Sequence, residues 1–269
     1  MIHSNLVFTN IGPIDSTNNY AIAQINEGLA KRGMAWFSNH QTAGKGQRGK
    51  VWESNPDENI ALTMVFEPPQ ALVNQPFLFN ALISLAVRSF LEKIINLSSI
   101  QNSLIQNEPL SQANPYNSNE KVYIKWPNDL WIRDRKAGGI LIENKYRGQL
   151  WQWAVVGVGI NLNQTRFSEQ LKNAVSLKQI THEDYNPEQL AMQLHEVVSD
   201  FINQTEQSNV EKILNEYNQF LYKKDEKVRL KKGSAVFETT IIGVDKHGVL
   251  TTQDTIERNF QFGEVEWCF

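Results

Sequence analysis

A continuous apolar run near the middle of the chain constrains the fold most. Residues 151–160 read Trp-Gln-Trp-Ala-Val-Val-Gly-Val-Gly-Ile and contain no charged residue. Runs of this kind are typical of strands that are buried on both faces. The run therefore predicts a strand at the centre of a sheet. Its two glycines weaken a strand unless another group packs closely against them, so we expect something to approach the backbone there.

Shorter apolar runs and helical periodicities surround this strand. Apolar runs predict further strands, and apolar residues spaced three and four apart predict helices. Strands are expected at residues 6–8, 34–37, 60–66, 122–126 and 139–143, and helices at 20–29, 76–95, 187–204 and 210–222. In the helix at 76–95, Arg88, Glu92 and Lys93 are expected on the outside. This order predicts an α+β or a layered α/β arrangement, and the fold class we expect is α+β, with a mixed sheet flanked by helices.

Two segments differ in composition from this main unit. Residues 97–120 are rich in Asn, Gln, Ser and Pro, which indicates an extended surface loop or insertion. After Tyr222 the pattern changes to short strands separated by turns, at 228–230, 236–244, 249–251 and 256–262. We expect two domains, 1–222 and 223–269. The second is a small β domain that packs against the first, because it is too short to have much core of its own.

The bulk composition argues against several classes of protein. A net charge of −3 and a pI near 6.0 argue against a general nucleic-acid binder, which carries a basic face. Cys268 is the single cysteine, so no internal disulfide forms, which fits a reducing cytoplasm. The N-terminal residues show no secretory signal, and no apolar stretch reaches the ~20 residues that span a bilayer. The five histidines lack metal-ligand spacing, and no Ser-His-Asp arrangement is visible.

A short glycine-rich segment concentrates positive charge. Residues 44–52 read Gly-Lys-Gly-Gln-Arg-Gly-Lys-Val-Trp, with three glycines and three cations. Glycine permits positive φ angles and close approach to a ligand, while Lys45, Arg48 and Lys50 supply charge for a phosphate or carboxylate. The segment is neither a Walker A loop nor a dinucleotide-binding glycine turn. It indicates an anion-binding loop, with a solvated basic hairpin as the alternative.

Four further segments place polar residues beside predicted strands or helices. Residues 15–20, Asp-Ser-Thr-Asn-Asn-Tyr, either cap a helix or present hydroxyls to a small ligand. Residues 125–129 read Lys-Trp-Pro-Asn-Asp. They form either an ordinary turn or a site at which Asn128 and Asp129 bind a nucleotide or Mg²⁺. Lys136 lies at the mouth of a strand, where it is either solvated or stabilises phosphate or carboxylate charge at a pocket rim. Asn161 follows the central strand and either belongs to the core or faces a ligand.

Taken in order, five segments closely resemble the motifs of biotin protein ligases. They are Asp-Ser-Thr-Asn (15–18), Gln-Thr-Ala-Gly-Lys-Gly-Gln-Arg-Gly-Lys-Val-Trp (41–52), Lys-Trp-Pro-Asn-Asp (125–129), Lys-Ala-Gly-Gly-Ile-Leu (136–141) and Gly-Val-Gly-Ile-Asn (157–161). The resemblance implies a class II synthetase-like catalytic domain with a small C-terminal SH3-like β-barrel. It also implies a reaction in which biotin and ATP, with Mg²⁺, give biotinyl-5′-AMP and pyrophosphate. A lysine of a biotin carboxyl carrier protein then attacks the mixed anhydride. No tightly bound prosthetic group is expected.

The resemblance also assigns roles to individual residues. Positions that contact biotin or its activated carboxylate are Ser16, Thr17, Asn18, Gln41, Lys45, Gly46, Gln47, Lys136 and Gly139. Positions on the nucleotide side are Lys50, Trp52, Asn128 and Asn161, with Trp52 expected near adenine. Lys136, Lys45 and Arg48 are expected to offset the repulsion between two anions. Asp129 is expected either to hold Mg²⁺ or to assist the incoming lysine.

The chain departs from its relatives at two places. Many relatives have Gly-Arg-Gly-Arg in the loop, whereas Gln47 here replaces a guanidinium that helps to retain the adenylate. Arg48 is our candidate for the missing charge. Some relatives carry an N-terminal winged helix and repress transcription, but here the first strand is expected almost at Met1. We therefore expect an enzyme that binds neither DNA nor membranes, and exposed sheet edges allow a homodimer.

Three other functions remain open at this point. A lipoate or octanoate ligase has a related fold and also modifies lysines of carrier domains, although the cationic loop and residues 125–129 look more like the biotin branch. A non-catalytic biotin or nucleotide sensor is a second alternative, against which Lys136 and the loop argue. A structural α/β protein with a basic hairpin is the third, and it leaves the ordered motifs unexplained.

Overall fold

The predicted central strand lies in the middle of a seven-stranded sheet. The computed structural model describes residues 7–105, 121–205 and 210–269. The strands are β1 (Phe8–Asn10), β2 (Ala35–Ser38), β3 (Asn59–Phe66), β4 (Tyr123–Lys125), β5 (Asp129–Ile132), β6 (Arg135–Arg147) and β7 (Leu150–Asn161). Their order is β1-β2-β3-β7-β6-β5-β4, so β7 is central as predicted. Strands β1 and β2 pair in parallel and the other neighbours pair antiparallel, so the sheet is mixed.

Helices cover both faces of this sheet. They are α1 (Thr17–Asn26), α2 (Pro76–Ile105), α3 (Leu177–Thr181), α4 (Pro187–Thr205) and α5 (Val210–Gln219). Alternate strand residues face opposite sides. Met64 and Val156 belong to the large core with α2 and α4, while Val65 and Val155 pack with Ala21 of α1 in a smaller cluster. The site described below lies on the α1 face.

Two predictions about α2 are wrong. The helix continues to Ile105, so residues 97–105 do not belong to a loop, and residues 106–120 lie outside the described residues. Propagating an established helix adds one hydrogen bond for each residue, so polar composition alone does not end it. Arg88 is buried rather than outside, because its Nε donates to Val122 O at 2.9 Å and its guanidinium lies over the Phe220 ring.

Several element boundaries also differ from the expected ones. Strand β5 was not predicted. Asp129 is its first residue and does not project from a turn as expected. Strand β1 begins and ends two residues later than expected, and β6 is longer at both ends. Helix α1 ends at Asn26, so Leu29 lies beyond it and is exposed. The short helix α3 was not predicted, and its Ser176 cap with a reciprocal bond to Gln179 is a signal that the sequence did contain.

The C-terminal residues form a separate five-stranded antiparallel sheet. Its strands are β8 (Lys227–Lys232), β9 (Ala235–Val244), β10 (Leu250–Gln253), β11 (Glu257–Phe260) and β12 (Glu266–Cys268), in the order β11-β10-β9-β8-β12. Strand β12 was not predicted. Leu230, Ile241 and Leu250 belong to the same core as α2, which confirms that the small β unit packs against the larger one. Trp126 Nε1 donates to Gly248 O at 3.0 Å across this contact.

Candidate active site

Three glycines on the α1 face of the sheet form a floor on which other side chains rest. Gly157 and Gly159 belong to β7, and Gly139 of β6 lies opposite Gly159. A Cβ added to Gly157 would lie 2.2 Å from Asn18 Oδ1, and one added to Gly159 would lie 2.4 Å from Trp52 Cε2. A Cβ added to Gly139 would lie 3.3 Å from Lys136 Nζ. The expected close approach to the glycines of the central strand is therefore confirmed. Three segments that are distant in sequence meet on this floor.

The N-terminus of α1 provides the polar end of the floor. The Ser16 side chain caps the helix by accepting from Asn19 N, and Thr17 and Asn18 are buried in its first turn. Gln41 Oε1 accepts from Thr17 N at 2.8 Å and from Thr17 Oγ1 at 3.0 Å. The side chains of Thr17, Asn18 and Gln41 are uncharged and offer amide and hydroxyl hydrogen bonds.

Two residues that sequence reasoning missed complete this polar network. Asn18 Nδ2 donates to Glu143 Oε2 at 2.8 Å. Thr63 Oγ1 of β3 is buried, 2.8 Å from Thr17 Oγ1 and 2.6 Å from Asn18 Oδ1. The available signal was a polar residue within or at the end of an apolar strand. Buried polar side chains need partners, so each of these positions predicts a polar neighbour across the sheet face.

The cationic loop joins β2 to β3 as predicted, and it folds back on itself to place Trp52 on the floor. Trp52 N donates to Gly44 O at 2.8 Å, and Gly46 N donates to Lys50 O at 2.7 Å. The side chains of Lys45 and Lys50 are exposed. Trp52 Nε1 is buried and has no acceptor among residues 7–105, 121–205 and 210–269. An aromatic ring beside charged groups suits stacking by a planar ligand.

Lys136 and Asp129 form an ion pair beside Trp52. Lys136 Nζ lies 2.7 Å from Asp129 Oδ1 and 5.8 Å from the centroid of the Trp52 ring. The two charged side chains are 34% and 29% exposed, so both remain accessible to a ligand. The backbone of Lys136 is held by bonds from its N–H to Asn173 O and from Val175 N to its carbonyl. The backbone that carries the Lys136 side chain is therefore held by β6 and by residues 173–175.

Three amide side chains that are predicted to contact ligands donate hydrogen bonds to backbone carbonyls. Asn128 Nδ2 and Gln47 Nε2 both donate to Ile140 O. Asn161 is buried, and its Nδ2 donates to Lys136 O at 3.3 Å and to Val175 O at 3.2 Å. Gln47 thus ties the cationic loop to β6, and Asn161 ties the segment after β7 to the strand that carries Lys136.

Arg48 connects the cationic loop to the C-terminal sheet. It has a left-handed φ of 55°, and its Nη1 donates to Gly263 O at 3.0 Å. Gly263 has a φ of +87°, and a Cβ there would lie 2.5 Å from Arg48 Nη1. The guanidinium therefore rests against the turn before β12. The structure does not place it beside the Lys136–Asp129 pair, so its expected charge-supplying role stays a prediction.

The described residues contain no group of three or more His, Cys, Asp or Glu side chains that could hold a metal ion. Asp129 is the carboxylate nearest to Lys136 at the charged end of the floor. Mg²⁺ is usually bound through one or two carboxylates together with substrate phosphates. A single aspartate therefore fits a metal ion that arrives with a nucleotide, and it does not fit a cation held by protein alone.

A family model for the biotin/lipoate A/B protein ligases matches residues 12–161, which include α1, the cationic loop and strands β2 to β7. The chain belongs to this family. The bifunctional ligase/repressor BirA of Escherichia coli is 31% identical over 163 residues, 60% of this chain and 42% of that protein. The biotin--[acetyl-CoA-carboxylase] ligase of Paracoccus denitrificans is 32% identical over 149 residues, 55% of this chain and 51% of that protein. The chain thus spans about half the length of the curated relatives it matches.

Solved structures share the whole fold. The biotin protein ligase from Aquifex aeolicus in complex with biotin and ATP has a TM-score of 0.73 at 19% identity, over 97% of both chains. That of Leishmania major in complex with biotinyl-5-AMP has a TM-score of 0.63 at 20% identity, over 95% of this chain and 98% of that one. These similarities confirm the predicted α+β architecture. Within the described part of the chain, every helix is too short or too polar to cross a membrane.

Proposed function

We propose that this chain is a biotin protein ligase, which activates biotin with ATP and transfers it to a lysine of a biotin carboxyl carrier protein. The observation that carries the proposal is the two-ended site on the glycine floor. Uncharged amide and hydroxyl groups of Thr17, Asn18 and Gln41 lie at one end, and the Lys136–Asp129 pair lies at the other. A ureido ring needs uncharged donors and acceptors, whereas a carboxylate that meets a phosphate needs cations.

The first step joins two anions, so it depends on positive charge. A carboxylate oxygen of biotin attacks the α-phosphorus of ATP, the bond to the bridging oxygen breaks, and pyrophosphate leaves with the electron pair. Lys136 offsets the repulsion from the charged end of the floor, and Lys45 and Lys50 add charge from the loop that also carries Trp52. Mg²⁺, when bound, neutralises further phosphate charge, and Asp129 is the residue that would hold it.

The second step transfers the biotinyl group. The amine of the carrier lysine attacks the carbonyl carbon of biotinyl-5′-AMP, an amide bond forms, and AMP leaves as the bond to its phosphate oxygen breaks. The attacking nitrogen loses a proton. Asp129, the ion-pair partner of Lys136, would accept a hydrogen bond from that nitrogen once Lys136 turns toward the substrate.

We extend the proposal to the organisation and compartment of the protein. Residues 1–222 would form the catalytic domain and residues 223–269 the small β domain, since the chain between α5 and β8 separates the two sheets. Cys268 is a free cysteine, which supports a reducing cytoplasm.

Exchange of labelled pyrophosphate into ATP tests the first step directly. Purified protein with Mg²⁺ is assayed with biotin, lipoate or octanoate, and we expect exchange with biotin. Lys136→Ala should slow exchange about 10²- to 10³-fold, as removal of a group that stabilises developing charge does. Lys145→Ala, a change to another lysine of β6, is the matched control and should leave the rate unchanged.

Each outcome of this assay has a distinct meaning. Exchange with lipoate or octanoate alone would move the chain to the other branch of its family. Exchange with none of the acids would favour a binding protein without chemistry. Full activity in Lys136→Ala would show that the charged end of the floor does not contribute to the first step. Transfer is then checked by the mass increase of a carrier domain and its loss when the carrier lysine is replaced.

A further inference from the structure

A second lysine lies beside the Lys136–Asp129 pair. Lys125 ends β4 and lies directly opposite Asp129, the first residue of β5. Its Nζ is 4.8 Å from the centroid of the Trp131 ring, 5.2 Å from that of Trp267 and 4.9 Å from that of Phe269. We call these three rings the aromatic cage. Trp267 belongs to β12, which pairs with β8, so the C-terminal sheet completes the surroundings of Lys125.

Lys125 differs from the other lysines that contact aromatic rings. Lys136, Lys223 and Lys232 also lie over rings, and each has a carboxylate within 4 Å, at 2.7 Å, 3.1 Å and 3.4 Å. In the described part of the chain, Lys125 forms no such ion pair. Contacts with aromatic rings are enough for a lysine that only joins two packed surfaces. The ammonium of Lys125 has three donors, and none of them has a hydrogen-bond partner among residues 7–105, 121–205 and 210–269.

The charges around Lys125 are unbalanced. Burial of its ammonium lowers the pKa of Lys125 to about 8, Asp129 acts in the opposite direction, and the positive charges of Lys136 and Lys50 lower the pKa further. Lys125 therefore experiences two neighbouring positive charges and one negative charge. An excess of positive charge in a partly buried place is favourable once a ligand with several negative charges arrives.

The order of the strands indicates which part of a ligand would lie there. Gly159 belongs to β7, with the Trp52 ring against it, Lys136 belongs to β6, Asp129 to β5 and Lys125 to β4, the last strand of the sheet. The charged groups thus run outward from the glycine floor to the sheet edge. If the reacting α-phosphate lies beside Lys136, the remaining phosphates extend toward Lys125.

We propose that Lys125 is a further cation of the active site, held by the aromatic cage, which binds the β- and γ-phosphates of the nucleotide and the pyrophosphate that they become. This inference rests on the proposed function, because it extends the nucleotide end of that site. It makes Trp267 and Phe269 of the C-terminal residues positioning residues for a phosphate contact.

Titration calorimetry with inorganic pyrophosphate and Mg²⁺ tests the inference without requiring catalysis. Lys125→Met keeps the length of the side chain within the cage and removes the charge, and Lys125→Arg keeps the charge. Lys223→Met is the matched control, because Lys223 also lies over a ring but has its own carboxylate partners, Asp134 and Glu226. Thermal melting of all three variants reports on packing, and biotin binding reports on the other end of the site.

We expect pyrophosphate to bind at least 10-fold more weakly to Lys125→Met, within about threefold of wild type to Lys125→Arg, and unchanged to Lys223→Met. The KM for ATP should rise in parallel in Lys125→Met while the KM for biotin stays the same. Unchanged pyrophosphate binding in Lys125→Met, or no binding to the wild-type protein, would overturn the inference. A wild-type protein that binds pyrophosphate through Lys125 but fails in the biotin exchange assay would instead refute only the proposed function.

Discussion

Replacing Gly159 by alanine should weaken nucleotide binding while the fold stays intact. The added Cβ would lie 2.4 Å from Trp52 Cε2 and 2.7 Å from Cζ2, whereas ordinary contacts begin at 3.4 Å. The indole ring must therefore withdraw by about 1 Å. If Trp52 stacks on the adenine, loss of that stacking costs about 1–3 kcal/mol, which corresponds to an increase of roughly 5- to 150-fold in the KM for ATP.

The stability of the protein should change little in this variant. Glycine in a strand interior is unfavourable by about 0.5–1 kcal/mol relative to alanine, and this gain offsets part of the cost of moving the ring. Trp52 is in a loop whose backbone can shift more easily than a central strand. We therefore expect a melting temperature within a few degrees of wild type, measured by circular dichroism.

Gly157→Ala is a matched variant two residues away on the same face of β7. Its Cβ would lie 2.2 Å from Asn18 Oδ1, at the polar end of the floor. We expect the KM for biotin to rise in this variant and the KM for ATP to rise in Gly159→Ala, both measured in the exchange assay. Equal effects on both substrates in both variants would refute a two-ended floor, and a normal KM for ATP in Gly159→Ala would refute stacking by Trp52.

Two further predictions concern buried groups away from the floor. Tyr217→Phe removes a 2.9 Å bond from the buried hydroxyl to Pro127 O, but Asn80 still donates to that carbonyl, so unfolding by urea should show a loss of only about 1 kcal/mol. Burial lowers the pKa of His195 from its usual 6.5, while its bond to Gly33 O opposes this. The unfolded chain then takes up the proton first, so the free energy of unfolding should fall as pH drops below about 6.5 and level off below the folded-state pKa. His195→Gln should reduce this slope, and an unchanged slope would contradict its assignment to His195.

The positions of the main elements follow from patterns that lie within the sequence. The run at 151–160 predicts a central strand because only a strand buried on both faces tolerates such continuous apolar character. The long helix that begins at Pro76 shows helical periodicity. Its end was not predictable in the same way, since the polar stretch after residue 95 continues as helix once packing has fixed the preceding turns.

The sequence also identified the candidate residues, but it did not show which way their side chains point. Lys136, Asp129, Trp52 and Asn18 do meet on one face, as their occurrence in ordered motifs suggested. Asn161 belongs to the same set by motif, yet its buried amide bonds to the carbonyls of Lys136 and Val175. A motif specifies which residue types lie near a site, whereas strand register and burial decide whether a side chain faces the ligand or the backbone.

The sequence alone thus determined the α+β class, the central strand and the short segments that carry the chemistry, because these depend on local periodicity and on residue type. The tertiary structure alone decided that Arg48 rests against Gly263, and that Trp267 and Phe269 enclose Lys125. These contacts join residues more than 100 positions apart. They depend on how the C-terminal sheet packs against the larger one, and no local pattern encodes that packing.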